Sequence, residues 1–203
     1  MNVGEQKFND FLNALASKEP APGGGVTSGI LVALATSLGN MVIAYTEGKK
    51  KYADNQLLHE DCGKFFEAAR VESMELAAAD AQSYAALNTL WKLEKNDPKR
   101  IEQWDHAVEQ ATDVPIQTME LCFRVLTTLE TMIGKTNNML VSDLITASIL
   151  ARSSVEIAAV TARINIPLLE DQARMSELEK RVCTLETTCR TLAKDIEEAC
   201  GAV

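Results

Sequence analysis

Apolar positions along the chain recur at spacings of three and four and almost nowhere alternate with polar ones, so the pattern predicts helices. Phe8, Phe11, Leu12 and Leu15 share one face, which predicts a helix from Glu5 to about Ser17. Lys18 to Gly25 breaks it, because Pro20, Pro22 and three consecutive glycines do not continue a helix. A second helix is predicted from about Val26 to Glu47, and it carries two stripes. Leu31, Leu34, Leu38, Met41 and Tyr45 read as an ordinary core stripe. Gly29, Ala33, Thr36 and Asn40 form a small-residue stripe that lets another backbone come close. No charge occurs from Pro20 to Thr46, so this helix is apolar nearly all round and belongs in the middle of a bundle. Gly48 is expected to cap it, with Lys49, Lys50 and Lys51 at the negative end of the helix dipole.

Asp54 to about Glu94 reads as one very long helix or as two joined end to end. Its stripe is Leu58, Cys62, Phe65, Ala69, Leu76, Asp80, Tyr84, Leu87 and Trp91. Asn96, Asp97 and Pro98 end it and start the next, with Pro98 in a first helical turn. A helix from Pro98 to about Glu109 then precedes another that runs through Pro115 to Ile133. Gly134 to Val141 is expected as a polar loop. Ser142 is the expected N-cap of a helix reaching about Arg163, with Asp143 in its first turn. Ile164 to Pro167 reads as a short extended link. In the last segment Met175, Leu178, Val182, Leu185, Cys189, Leu192, Ile196 and Ala199 alternate by three and four. That seam can pack on its own bundle or on a partner subunit.

Composition supports an all-α class, a multi-helix bundle with long antiparallel helices. The 203 residues are 46% hydrophobic with only five prolines, and no proline occurs between Pro22 and Pro98. With no internal repeat and no linker of low complexity, residues 1–203 are expected to form a single domain. The net charge of −9 argues against a nucleic-acid partner. Val26 to Thr46 is long enough to cross a bilayer core of ~30 Å. Thr27, Ser28, Thr36, Ser37 and Asn40 interrupt it and no second such segment is expected, so a core helix and no membrane partner are expected. The N-terminus is polar and acidic, which predicts no signal peptide. Five cysteines without CxxC spacing suggest reduced thiols and a cytoplasmic location. Two histidines and no Cys/His cluster make a metal site unexpected, and His106, among charged residues, is expected in solvent.

Asp80 is the odd member of its stripe, one turn after Leu76 and one turn before Tyr84. A carboxylate there must sit in a polar pocket, pair with a cation or hold a raised pKa. A raised pKa suits general acid–base chemistry near neutral pH. A structural aspartate that bonds Ser83, a lysine or a helix end has the same position. The glycines Gly23, Gly24 and Gly25 before a helix can offer N–H groups to an anion, or simply turn the chain. The three lysines can grip a carboxylate, or cap a helix in solvent. Arg163, before Asn165, is either a structural cap or a ligand contact.

Taken together, PAPGGG (Pro20–Gly25) before an uncharged helix, then GKKKY (Gly48–Tyr52), resembles the cyclodeaminase/cyclohydrolase family. The likeness continues through ADAQSY around Asp80, NNMLVSD (Asn137–Asp143) and RINIPLLED (Arg163–Asp171), in the expected order. The resemblance implies an all-α fold assembled as a homodimer, with folate sites near subunit contacts. It implies action on one-carbon tetrahydrofolates, with a folate as substrate and no separate cofactor. It places the catalytic aspartate on Asp80. Cyclohydrolysis opens the methenyl bridge to a formyl group; cyclodeamination closes a formimino group and releases ammonia. Without a fused formiminotransferase to supply formimino substrate, cyclohydrolysis is the first reading. A helical dimer that binds folate or a protein partner without turnover is the third. Pro22 and the three glycines, Lys49, Lys50, Lys51 and Tyr52, and Asn137, Ser142, Asp143, Arg163 and Asn165 are the expected substrate contacts. The lysines are expected to meet the carboxylates of a folate tail, polyglutamylated forms included. Three positions depart from the family pattern: Val26 where serine is common, Thr161 where asparagine is common, and Thr136–Asn137 where a Gly-Asn pair is common.

Overall fold

A computed structural model describes residues 7–201. Among these there are six α-helices, three short 3-10 turns and no strand. The helices are α1 (Phe8–Leu15), α2 (Gly24–Ala44), α3 (Gln56–Trp91), α4 (Pro98–Thr131), α5 (Val141–Asn165) and α6 (Gln172–Ala199). The expected start of α1 at Glu5 lies outside the described residues. Helix α2 packs between α3 and α5, and α4 packs on α3, α5 and α6. One main core joins α2 to α6 around Phe66, Met119, Leu126 and Ile196. A small cluster of Phe11, Val26, Ala77 and Ala81 fastens α1 to the start of α2. A third holds the α3–α4 tip with Leu87, Leu90 and Val108.

Helix α2 corrects the expected core face. Most of its leucine stripe stays out of the core: Leu34 is 49% exposed, Tyr45 is 61% exposed, and Leu31 and Met41 are half-buried, while half-buried Leu38 packs against the core. The buried face instead carries Gly25, Val26, Gly29, Val32, Ala35, Thr36, Gly39, Val42 and Ile43. An all-apolar helix gives no amphipathic signal, so backbone proximity decides. A Cβ on Gly29 would stand 2.8 Å from the Ser73 carbonyl of α3, and one on Gly39 would stand 2.7 Å from the Phe66 ring. The buried hydroxyls are satisfied within α2, Ser28 by Gly25 O at 2.6 Å and Thr36 by Val32 O at 3.0 Å. The helix starts two residues earlier than expected, because Gly24 and Gly25 complete its first turn. It ends at Ala44, and Gly48 serves the turn beyond it at φ +74°.

Helix α3 is one helix of 36 residues. Helix α4 is also continuous, so the expected break near Glu109 is absent and Pro115 lies inside it, buried. A proline inside a helix costs about 3 kcal/mol, and here packing on three neighbours offsets it. The Ala111 carbonyl, which loses its usual partner, accepts a hydrogen bond from Nδ2 of Asn165 at 2.7 Å. Ser142 does not cap α5. Leu140 holds the N-cap position, and the Asn137 side chain caps the preceding 3-10 turn through Met139 N. Ile164–Pro167 is not extended either: α5 runs to Asn165 and a 3-10 turn, Ile166–Leu168, follows. The seam of α6 packs on its own bundle through Leu178, Val182, Cys189 and Ile196, while Ala199 is exposed. A second stretch, within Asn138–Leu168, is also long and apolar enough to cross a membrane, contrary to expectation. Like α2 it has about half of its apolar window buried in the bundle.

Candidate active site

Helix α3 brings Asp80 to the N-terminus of α2. The Asp80 carboxylate lies against the Cα of Gly25, where any Cβ would overlap it. Only glycine leaves this room, which explains the last of the three glycines. Gly23 at the N-cap offers no side chain to the orphan amides of α2. The Val26 N–H favours the charged carboxylate, and burial opposes it more strongly. The net result is an Asp80 pKa raised to about 6, with no basic side chain contributing. Ser83 does not neutralise it, since its hydroxyl donates to the Asp80 backbone carbonyl at 3.0 Å. Asp80 is therefore partly protonated near neutral pH, the condition for taking and returning a proton.

The carboxylate lines a cleft of ≈190 Å³. One wall is the loop with Pro20, Ala21, Gly23 and Gly25. The others are Ser83 and Tyr84 of α3, Ala111 of α4, and Thr161 and Asn165 of α5. Pro22 is buried behind the loop, with a cis bond to Ala21, and Gly24 is exposed, where a Cβ would stand in ordinary contact with Ile157 at 3.8 Å. Tyr84 was visible as the next turn of the Asp80 stripe. Pro20 and Ala21 lie in the recognised motif, and Thr161 was noted only as a departure. Ala111 carries no signal in the sequence and is placed by the fold alone. A wider groove of ≈660 Å³ runs between α3 and α4 past Gln82, Ala86, Lys99 and His106. It holds no buried carboxylate, so size alone does not select it.

The remaining expected contacts collect elsewhere. Lys49, Lys50 and Tyr52 line a second cleft of ≈500 Å³ with Thr46, Gln56 and His59. Lys51 stands over the Tyr52 ring at 5.1 Å. The Tyr52 hydroxyl donates to Asn138 Oδ1 and accepts from Asn138 N, both at 3.2 Å. The Asn138 N–H pulls the phenol pKa down, with lesser help from Lys51 and Lys49. Asn137 is a structural residue of this end, donating to Tyr45 O at 3.2 Å. Exposed Ser142 and half-buried Asp143 follow in the first turn of α5. The 21 residues of α2 separate this end from Asp80, a distance of about 30 Å at 1.5 Å per residue. Arg163 belongs to neither cluster, since its guanidinium bonds Glu186 of α6 at 2.6 Å.

Comparison with known proteins fits this geometry. The family model for formiminotransferase-cyclodeaminase matches residues 7–184. A methenyltetrahydrofolate cyclohydrolase of Methylorubrum extorquens is 30% identical over 185 residues, 87% of this chain and 89% of that protein. The formimidoyltransferase-cyclodeaminase of Mus musculus is 26% identical over 193 residues, 93% of this chain but 36% of the mouse protein. This chain thus spans about a third of that longer relative. A solved formiminotetrahydrofolate cyclodeaminase from Thermotoga maritima superposes with a TM-score of 0.91 over 98% of both chains, at 22% identity, and so shares the fold. A family match over most of the chain, with Asp80 and its glycine loop set in one cleft, places this protein in the formiminotransferase-cyclodeaminase family.

Proposed function

We propose that the chain is a methenyltetrahydrofolate cyclohydrolase with Asp80 as its proton carrier. The observation that carries this reading is a half-buried carboxylate with a pKa of about 6 at the wall of a small cleft. Water adds to the electrophilic methenyl carbon while ionised Asp80 takes its proton. One of the two C–N bonds at that carbon then breaks, Asp80 returns the proton to the departing nitrogen, and the hydroxyl proton is released to solvent as the formyl C=O forms. The bridge is cationic in the substrate, so it needs no further activation for water to add. The cyclohydrolase relative is 30% identical to this chain, against 26% for the mouse enzyme and 22% for the Thermotoga cyclodeaminase, and this favours hydrolysis.

Cyclodeamination is the second reading, and the matching cyclodeaminases support it. There Asp80 would protonate the leaving ammonia as a folate nitrogen closes the ring. A spectroscopic assay separates the two. Methenyltetrahydrofolate loses its absorbance band faster than a blank if the chain is a cyclohydrolase. Formiminotetrahydrofolate gains that band if it is a cyclodeaminase. No change with either substrate would leave a helical protein that binds folate or a partner without turnover.

We also propose that the chain works as a homodimer that takes polyglutamylated folates. The support is exposed Leu34 and Tyr45, with half-buried Leu31 and Met41 on the same stripe, on a helix with no charged residue. A second copy is the occupant that such a face fits. Lys49, Lys50 and Lys51 lie too far along α2 to hold a folate bound at Asp80 of their own chain, unless its glutamate tail is long. Sedimentation of wild type beside Leu34→Glu reads the assembly, and the variant should sediment as a monomer.

A further inference from the structure

The orientation of Asn165 depends on a residue outside the cleft. In an α-helix the carbonyl of residue 111 accepts from the N–H of residue 115. Residue 115 is proline and has no N–H. Ala111 O accepts instead from Nδ2 of Asn165, reached from α5 at 2.7 Å. A carbonyl can only accept, so the Asn165 amide must present its NH2 group to α4. Its Oδ1 is then the end left for the cleft that both residues line. Among the described residues no donor meets Oδ1, and it is not sealed from solvent. Asn165 is only 7% exposed, so a reversed amide would set two acceptors against each other in a buried place.

We infer that Pro115 is a positioning residue: by withholding an N–H it leaves the Ala111 carbonyl dependent on the Asn165 NH2 group for a partner, which fixes the amide so that its Oδ1 accepts a hydrogen bond from an N–H of the reduced pterin ring. This rests on reading the Asp80 cleft as the one-carbon folate site. A tetrahydropterin carries several N–H donors along its pyrimidine edge, and Asp80 faces the reacting carbon as a proton carrier, so the cleft needs a separate acceptor for them. A helix-breaking residue in the middle of a 34-residue helix thereby acquires a purpose in binding.

The test is a double-mutant cycle with Pro115→Ala and Asn165→Ala in the full chain, read by KM and kcat with methenyltetrahydrofolate. Alanine favours helix and restores the N–H, so the fold should hold. Pro115→Ala should raise KM about tenfold and leave kcat within about twofold, the loss of one oriented hydrogen bond. In the Asn165→Ala background the same change should move KM less than about twofold. Spectra of 15N-labelled asparagine should show an Asn165 NH2 group that exchanges slowly with water in wild type and quickly in Pro115→Ala. Wild-type kinetics in Pro115→Ala, or an equal KM rise in both backgrounds, would overturn the inference. So would a loss confined to kcat. A wild-type chain inert towards both folates sinks the proposed function and the pterin contact with it, while the amide signal still decides whether Pro115 fixes Asn165.

Discussion

The two ends of α2 differ in almost every physical respect. At the N-terminal end a glycine is buried against a carboxylate, the cleft is small, and no basic side chain offsets the charge. At the C-terminal end the cleft is larger, and lysines line it. Burial sets the chemistry of the first end, and solvated charge sets that of the second. A desolvated carboxylate can trade protons at neutral pH, whereas solvated ammonium groups attract anions weakly and over a longer range. On the proposed function, the reaction belongs to the first end, and the second end offers anionic ligands only a weak attraction.

The largest effect should come from removing the proton carrier. Asp80→Asn keeps the shape and should lower kcat by about 10³; a loss of less than tenfold would take Asp80 out of the reaction. Next comes the wall that holds it. Gly25→Ala should displace the carboxylate towards water and lower kcat by about 10². It should also move the acid limb of the pH profile below that of wild type, whose kcat/KM falls as pH drops through about 6. An unchanged acid limb would mean that Gly25 does not set the Asp80 environment.

A smaller effect should appear in stability. The folded pKa of Asp80 is about 6, above its unfolded value. Between about pH 4 and 6 the folded chain therefore keeps a proton that the unfolded chain has lost, so stability falls as pH rises through that window. Asp80→Asn lacks the penalty and should be more stable than wild type by about 3 kcal/mol at pH 8, with little difference at pH 4. Equal denaturation midpoints at pH 8 would contradict the burial of this charge. The smallest effect belongs to the other end. Replacing Lys49, Lys50 and Lys51 by glutamine should leave kcat intact and raise KM for pentaglutamyl substrate only a few-fold, an effect that salt erases.

Much of the fold was legible because the chain is rich in long helical periodicities. The helix nature of α2 and α3, the place of the glycine break and the oddity of Asp80 follow from spacing alone. The core face of α2 was not legible, since a helix apolar all round offers no asymmetry to read. What chose the face was the approach of Ser73 and Phe66 to Gly29 and Gly39, a property of two helices at once. The break expected near Glu109 is absent, and the proline six positions on is tolerated because Asn165, 50 positions after it, supplies the missing donor to Ala111 O. The glycines and the lysines, expected to touch one substrate, stand at opposite ends of α2, as the predicted helix between them requires. Arg163 sits two residues from Asn165 yet faces α6, since neighbours two apart on a helix point different ways.

The hydroxyl of Ser154 donates to the Ser28 carbonyl at 2.8 Å across 126 residues of sequence. This bond ties the cleft to the order of assembly. The α3–α4 pair can close soon after it is made, through contacts near in sequence, whereas α2 must wait for α5 before its buried face is covered on both sides. During synthesis at the ribosome the longest charge-free helix is thus among the first made and the last fully housed. Asp80 and Asn165 line one cleft only once α5 docks, so the cleft forms in the step that covers the second side of α2.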